Sequence, residues 1–322
     1  MYTKVVCGNL FSSFFLHPQK ALSLKNLSKA QLWWLAIRPK TLPAAVGPIV
    51  VGTAVAIAND HFLLLPALGC LLGAMLLQIG VNLANDYFDF KNKVDSDERK
   101  GPVRVTQSGL IPPEQVKAGM TISLTLAGLV FVYLAYVGGW PIVLVGFFSV
   151  LAALGYSGGP FPLASNGLGE LFVFIFFGLV AVGGTYYIQA KTLSPMAILA
   201  AIPPGLLITA IMVVNNLRDI ETDKKAGKRT LAVMLGRDKT IFEYKLLIWL
   251  SYLIPVIMLI FRLADWFILL PILTLPMARS LIKTITSEQS EQLNKLLAST
   301  ARLSLVFSLL FSLGLIGIMN KL

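Results

Sequence analysis

Residues 62 to 89 read Phe62-Leu-Leu-Leu-Pro-Ala-Leu-Gly-Cys70-Leu-Leu-Gly-Ala-Met-Leu-Leu-Gln-Ile-Gly80-Val-Asn82-Leu-Ala-Asn85-Asp86-Tyr87-Phe88-Asp89, an apolar run with no charge until its last turns. Crossing the hydrocarbon core as a helix takes roughly 20 apolar residues, so the stretch reads as a membrane span that closes on a polar cluster. Working outward, windows of the same kind give nine spans, near 41–59, 62–86, 116–137, 140–156, 168–190, 195–217, 241–262, 266–283 and 299–319. The sixth also closes on an acidic cluster, Asn215-Asn216-Leu-Arg218-Asp219-Ile-Glu221-Thr-Asp223.

Composition agrees. Hydrophobic residues make up 56% of the chain and charged ones 13%, against about 25% charged in a soluble domain. The expected fold class is therefore all-α, a polytopic bundle of nine transmembrane helices in the lipid bilayer. Pro43, Pro48, Pro203, Pro204 and Pro271 fall inside spans, where neighbouring helices can satisfy the backbone groups that proline frees.

Lys and Arg set the orientation. The segments before span 1 and after spans 2, 4, 6 and 8, with their flanking helix ends, hold 24 of the 27 basic residues, and cytoplasmic loops carry that excess. The N-terminus and both acidic clusters are expected on the cytoplasmic face of the inner or plasma membrane. This bias and attraction to anionic lipid account for the net charge of +11, so no nucleic-acid partner is needed.

Residues 1–30 lack a span-length apolar run and a small-residue cleavage site, and read as a cytoplasmic extension before a membrane domain at 31–322. Trp33 and Trp34 beside Arg38 and Lys40 suit a helix lying at the interface. Two connections, 87–115 and 218–240, are long and charged, and a third, 156–170, is a compact Gly/Pro-rich turn. Cys7, Cys70, His17 and His61 have no ligand or redox spacing.

Eight of the 16 acidic residues fall in the two windows that start at Asp86 and Asp219. The two clusters, Asn82 to Asp89 and Asn215 to Asp223, each begin with Asn and run into a basic loop, which suggests an internal repeat of spans 2 and 6. On a helix Asn82, Asp86 and Asp89 share one face, as do Asn215 or Asn216 with Asp219 and Asp223. Two such ladders facing each other repel: like charges roughly 6 Å apart cost about 3 kcal/mol at an effective dielectric near 20. A cation between them is required. All-oxygen ligation by Asp and Asn suits Mg2+, or Mn2+, which bridges one or two carboxylates to substrate phosphates. Arg104 after the first cluster, and Lys228 and Arg229 after the second, can meet phosphate oxygens. For Asp95, Asp97, Glu98 and Glu221 the competing reading, carboxylates that balance basic loops, stands equally. Ionisable residues inside span ends, Asp86, Asp89 and Asp219, read as functional.

A metal-bound diphosphate above an apolar bundle suggests a prenyl diphosphate whose chain threads into the bundle. Its allylic cation would be attacked by an electron-rich acceptor away from water. Tyr156 could stabilise that cation through its ring, or be an interfacial belt tyrosine.

These motifs resemble the UbiA-type intramembrane aromatic prenyltransferases over nearly all of 31–322, and within that family the branch that prenylates 1,4-dihydroxy-2-naphthoate. The narrower likeness rests on Arg38-Pro-Lys-Thr-Leu-Pro43, Asn82 to Phe90, Gly101-Pro-Val-Arg-Val-Thr-Gln-Ser-Gly109, Tyr156-Ser-Gly-Gly-Pro-Phe-Pro162, Asn166-Gly-Leu-Gly-Glu170, Gly183-Gly-Thr-Tyr-Tyr187 and Asn215 to Asp223. The resemblance implies Mg2+-dependent transfer of a polyprenyl group to the naphthoate ring with loss of its carboxylate, in menaquinone or phylloquinone biosynthesis. By position it implies Asp86, Asp89, Asp219 and Asp223 as metal and diphosphate carboxylates. It also implies Asn82 and Asn215 or Asn216 as the helix-borne amides, and Lys228 and Arg229 as the basic pair; Asn85 of the first motif is expected to meet substrate beside them. The family's third Asp of the first motif is Lys93 here, which leaves Asp95 outside the matched set. Prenylation of 4-hydroxybenzoate or homogentisate is the alternative. A transporter would hold its carboxylates nearer the bilayer midplane.

Overall fold

The computed structural model describes residues 27–92, 101, 103–287 and 292–317, and among them there is no strand. Lys93, Asp95, Asp97, Glu98 and all but the end of the N-terminal extension lie outside the described residues. Among the described residues, eight helical stretches are long and apolar enough to cross a membrane, and a ninth, Trp140–Gly155, is apolar but shorter. Eight of the nine expected spans are thus met by helices of spanning length and the other by this shorter helix.

The chain enters through α1 (Lys29–Ile37), which opens on a capping box. The Gln31 N–H donates to Ser28 Oγ at 3.3 Å and the Ser28 N–H to Gln31 Oε1 at 2.9 Å, satisfying donors that a helix start leaves open. α1 stops at Arg38, whose φ is 53°, because Pro39 disfavours helical geometry in the residue before it. A 3-10 turn, Pro39–Thr41, leads into α2 (Leu42–Ala58). Trp34 stays exposed, while Trp33 lies against α4 (Pro113–Gly138), where a Cβ on Gly119 would come within 2.7 Å of its ring. The interfacial segment is therefore tied to the bundle on one side.

α3 (Leu64–Lys91), α5 (Trp140–Gly155), α6 (Gly169–Ala190), α7 (Pro195–Lys225) and α9 (Arg237–Ile260) follow, with the short α8 (Leu231–Leu235) between the last two. α7 is the central helix: 72% of its apolar window is buried, against 28% to 33% for α3, α4, α6 and α9. A helix apolar on all sides belongs in the interior. Opposite it, α6 contains a π segment, Phe174–Val180, and bare backbone meets bare backbone where Gly178 faces Gly205, a Cβ on either lying 3.0 Å from the Cα of the other. Small residues at such contacts let membrane helices approach closely. The outer helices turn Leu65, Val132, Tyr136 and Leu273 outward, as a lipid-facing surface requires.

Two expectations shift. The eighth span begins as a 3-10 run, Trp266–Thr274, and becomes α10 (Leu275–Ser287) only after Pro271, which lacks the N–H that an α-helix needs. The charged loop expected at 218–240 is mostly helix, because α7 runs on to Lys225 and α9 starts at Arg237. Hydropathy falls at the first charge, but a helix continues wherever its charges find partners. α11 (Leu293–Ile316) closes the bundle against α2 and α7.

Candidate active site at the ends of two helices

The last turns of α3 bind a different piece of the protein with each polar side chain. Asn82 donates through its amide to the Ile37 carbonyl at 2.9 Å and to Thr41 Oγ1 at 2.9 Å, so it clamps the break between α1 and α2. Asn85 accepts the Ser157 hydroxyl, which draws in the turn after α5. Beside it a Cβ on Gly158 would lie 2.8 Å from the Phe88 ring, so the glycine leaves room for that ring. Asp86 is 1% exposed and receives two successive backbone N–H groups, Val105 at 3.1 Å and Thr106 at 3.0 Å, one on each carboxylate oxygen. Asp89, one turn further, pairs with the buried guanidinium of Arg104. Charge-assisted bonds of this kind are roughly twice as strong as neutral ones, and here they fold the connecting loop back onto the helix that precedes it.

The end of α7 is built around a residue without an assigned role in the sequence reading. Arg218, 3% exposed, forks onto Asp219 from Nε (2.8 Å) and Nη2 (2.5 Å), and also reaches Asn215 Oδ1 and, on α11, Asn294 Oδ1, both at 2.8 Å. Lys228 Nζ lies 3.2 Å from Asp223 Oδ1. The exposed Arg229 touches the site through its backbone, its N–H donating to the Ser165 carbonyl at 2.8 Å. Asn216 turns inward and donates to Glu170 Oε1 at 2.7 Å.

The two motifs meet. Asp89 of α3 and Asp223 of α7 are within electrostatic reach of each other, with Asp219 beside Asp223, and Tyr156 senses Asp89 as well. The Tyr156 hydroxyl donates to Met212 Sδ at 3.1 Å, which holds it over α7. Each facing carboxylate has its own cation: Arg104 on Asp89, Arg218 on Asp219, Lys228 on Asp223. Among the described residues no three His, Cys, Asp or Glu side chains converge on a point. An all-protein cage is therefore not built here, whereas a divalent ion shared between one or two carboxylates and substrate phosphates needs none. The donor chemistry, carboxylate and amide oxygens without sulfur or imidazole, fits that second mode.

Two carboxylates and one guanidinium without a role in the sequence reading also have polar atoms buried here: Glu170, Glu243 and Arg218. The available signal was the one that singled out Asp86, an ionisable side chain inside an apolar helix.

The UbiA prenyltransferase family matches residues 45–313. The chain belongs to the UbiA prenyltransferase family. Among this prenyltransferase's relatives is the 1,4-dihydroxy-2-naphthoate octaprenyltransferase of Haemophilus influenzae, 38% identical over 89% of this chain and 96% of that one. The enzyme of the same name from Escherichia coli is 43% identical over 66% of this chain and 71% of its own length. Among solved structures, a UbiA homologue from Archaeoglobus fulgidus bound to GPP and Mg2+ superposes with a TM-score of 0.64 at 19% identity, covering 89% of this prenyltransferase and 99% of the homologue. That likeness is one of fold.

Proposed function

We propose that this prenyltransferase moves a polyprenyl group from an allylic prenyl diphosphate onto 1,4-dihydroxy-2-naphthoate, releasing diphosphate and carbon dioxide, as a step of menaquinone or phylloquinone biosynthesis. The observation that carries the reading is the near end-to-end match to a relative that bears this activity in its name. The meeting of Asp89 with Asp223 supports the diphosphate half of it.

Asp89, Asp219 and Asp223 would hold Mg2+, or Mn2+ in its place. When bound, the ion supplies the positive charge that neutralises a departing diphosphate. Arg104 and Lys228 stand within the same ring of charge and can turn from their carboxylates to phosphate oxygens. Asp86 contributes indirectly, since its two backbone bonds put Arg104 where it pairs with Asp89. Asn82 and Asn85 act in the same way, by fastening the α1–α2 break and the Tyr156 turn around the site. Tyr156 places its ring beside the carboxylates, where a developing allylic cation gains from a π face. The prenyl chain would run down among the apolar helices. The Lys/Arg bias supports a cytoplasmic N-terminus and a site that opens on the cytoplasmic face.

One assay tests the reading. Purified protein with Mg2+, a series of prenyl diphosphates and either dihydroxynaphthoate or 4-hydroxybenzoate should give only the decarboxylated prenyl-naphthalenediol by mass spectrometry. Prenylated hydroxybenzoate as the main product would overturn it.

A further inference from the structure

One helical turn before Asp219, on the side toward the bundle interior, a second set of polar groups is buried. Glu170, in the first turn of α6, is 6% exposed. Its Oε1 accepts the Asn216 amide at 2.7 Å, and its Oε2 is buried with no hydrogen-bond partner among the described residues. Glu243 on α9 is within electrostatic reach of it and has an Oε2 that is likewise buried and unpartnered. Tyr156 completes the group: it senses Glu170 as well as Asp89, and a Cβ on Gly169 would lie 3.4 Å from its hydroxyl. Three residues along a helix is about 4.5 Å, so this set lies one layer below the carboxylates assigned to diphosphate.

Buried carboxylate oxygens without donors are rare in proteins and call for an explanation. A ligand that brings its own hydroxyl donors supplies one, and the dihydroxy-aromatic acceptor has two. We propose that Glu170, supported by Glu243, is the general base that takes the hydroxyl proton of the aromatic acceptor and later returns it. The inference rests on the reading of the acceptor given under Proposed function.

The steps balance. The ring O–H breaks and its proton goes to Glu170 Oε2. The electron pair left on oxygen drives the ring carbon that bears the carboxylate to bond with the allylic carbon, whose bond to the diphosphate oxygen breaks with its pair leaving on diphosphate. The acceptor's carboxylate is ionised throughout; the resulting β-keto carboxylate loses carbon dioxide, the freed pair returns to the ring oxygen, and that oxygen takes back the proton from Glu170. Glu170 ends as it began, and no outside acid or base is consumed.

The groups that face Glu170 are Glu243 from α9, the neutral Asn216 from α7 and Tyr156 from the turn after α5. Glu170→Gln keeps the shape and the bond from Asn216 but cannot take a proton. With Mg2+, a prenyl diphosphate and dihydroxynaphthoate, its kcat should fall about 100- to 10,000-fold, the usual worth of general base catalysis, while KM for the prenyl diphosphate stays the same. Raising the pH toward about 10, the ordinary phenol range, should restore part of the rate, because the acceptor then arrives ionised. Glu170→Asp should keep the wild-type pH profile at a lower kcat. Wild-type kcat in Glu170→Gln, or a loss confined to KM for the donor, overturns the proposal. If Glu170→Gln does not fold, Glu170→Asp decides, and an unchanged kcat overturns it. Failure of the unaltered protein to prenylate dihydroxynaphthoate refutes the acceptor reading instead, and the same variant comparison on whichever hydroxylated acceptor it does use then tests the base.

Discussion

Asp89 and Arg104 form a buried ion pair between the last turns of α3 and the loop that follows it. One turn earlier Asp86 holds the same loop through the Val105 and Thr106 N–H groups. Neighbouring aspartates of one motif thus do different work, one by charge and one by geometry, and substitutions should separate them.

Asp89→Asn keeps a hydrogen-bonding side chain but removes the charge that Arg104 and a divalent ion share. Turnover should drop at least about 100-fold, close to 3 kcal/mol of lost transition-state binding, and the buried Arg104 left without its anion should lower the melting temperature as well. Asp86→Ala should also lower the melting temperature, since two buried N–H groups lose their acceptor at about 1 to 3 kcal/mol each. Only in Asp86→Ala should limited proteolysis find the 103–106 segment newly exposed. Equal protease sensitivity of that segment in the two variants would contradict this division.

Arg104→Ala leaves Asp89 buried without its cation, a change that typically costs about 3 to 5 kcal/mol in a buried pair. KM for the prenyl diphosphate should rise at least tenfold. Arg104→Lys should recover only part of that, because an ammonium cannot reproduce the guanidinium fork. Steady-state kinetics with the donor varied provides the measurement.

Divalent ions should be required. Excess chelator should abolish transfer, and Mg2+ or Mn2+ should restore it. A non-hydrolysable prenyl diphosphate should raise the melting temperature only when the ion is present, since a ligand stabilises the state it binds. Full activity in chelator would sink the shared-ion reading.

Gly52→Val should destabilise the bundle without touching the site. A Cβ there would fall 2.6 Å from the Val182 carbonyl and 2.8 Å from the Thr185 side chain, and overpacking of this kind costs about 1 to 3 kcal/mol. Reduced melting temperature with an unchanged KM for the prenyl diphosphate is the expected pair of results.

Some of this was written along the chain. Runs of twenty apolar residues can be satisfied in only one way in a bilayer, so nine helices follow from hydropathy alone. The same arithmetic put the carboxylate clusters at the ends of α3 and α7, because an ionisable group inside an apolar span is conspicuous. Helical periodicity then placed Asp86 with Asp89, and Asp219 with Asp223, on shared faces.

Partners could not be read that way. Asn82 bonds to residue 37, Asn216 to Glu170 and Arg218 to Asn294, each across a gap that no local period spans. A hydrogen bond is decided within about 3 Å, whereas hydropathy and periodicity position a side chain to within a helical turn and leave helix neighbours and rotations open. By itself the sequence determined a nine-helix membrane bundle with two acidic helix ends. Only tertiary packing decided that Asp89 and Asp223 lie within electrostatic reach of each other, that Asp86 binds the loop, and that Glu170 and Glu243 are likewise within reach, because those relations depend on which helices touch and how each is turned.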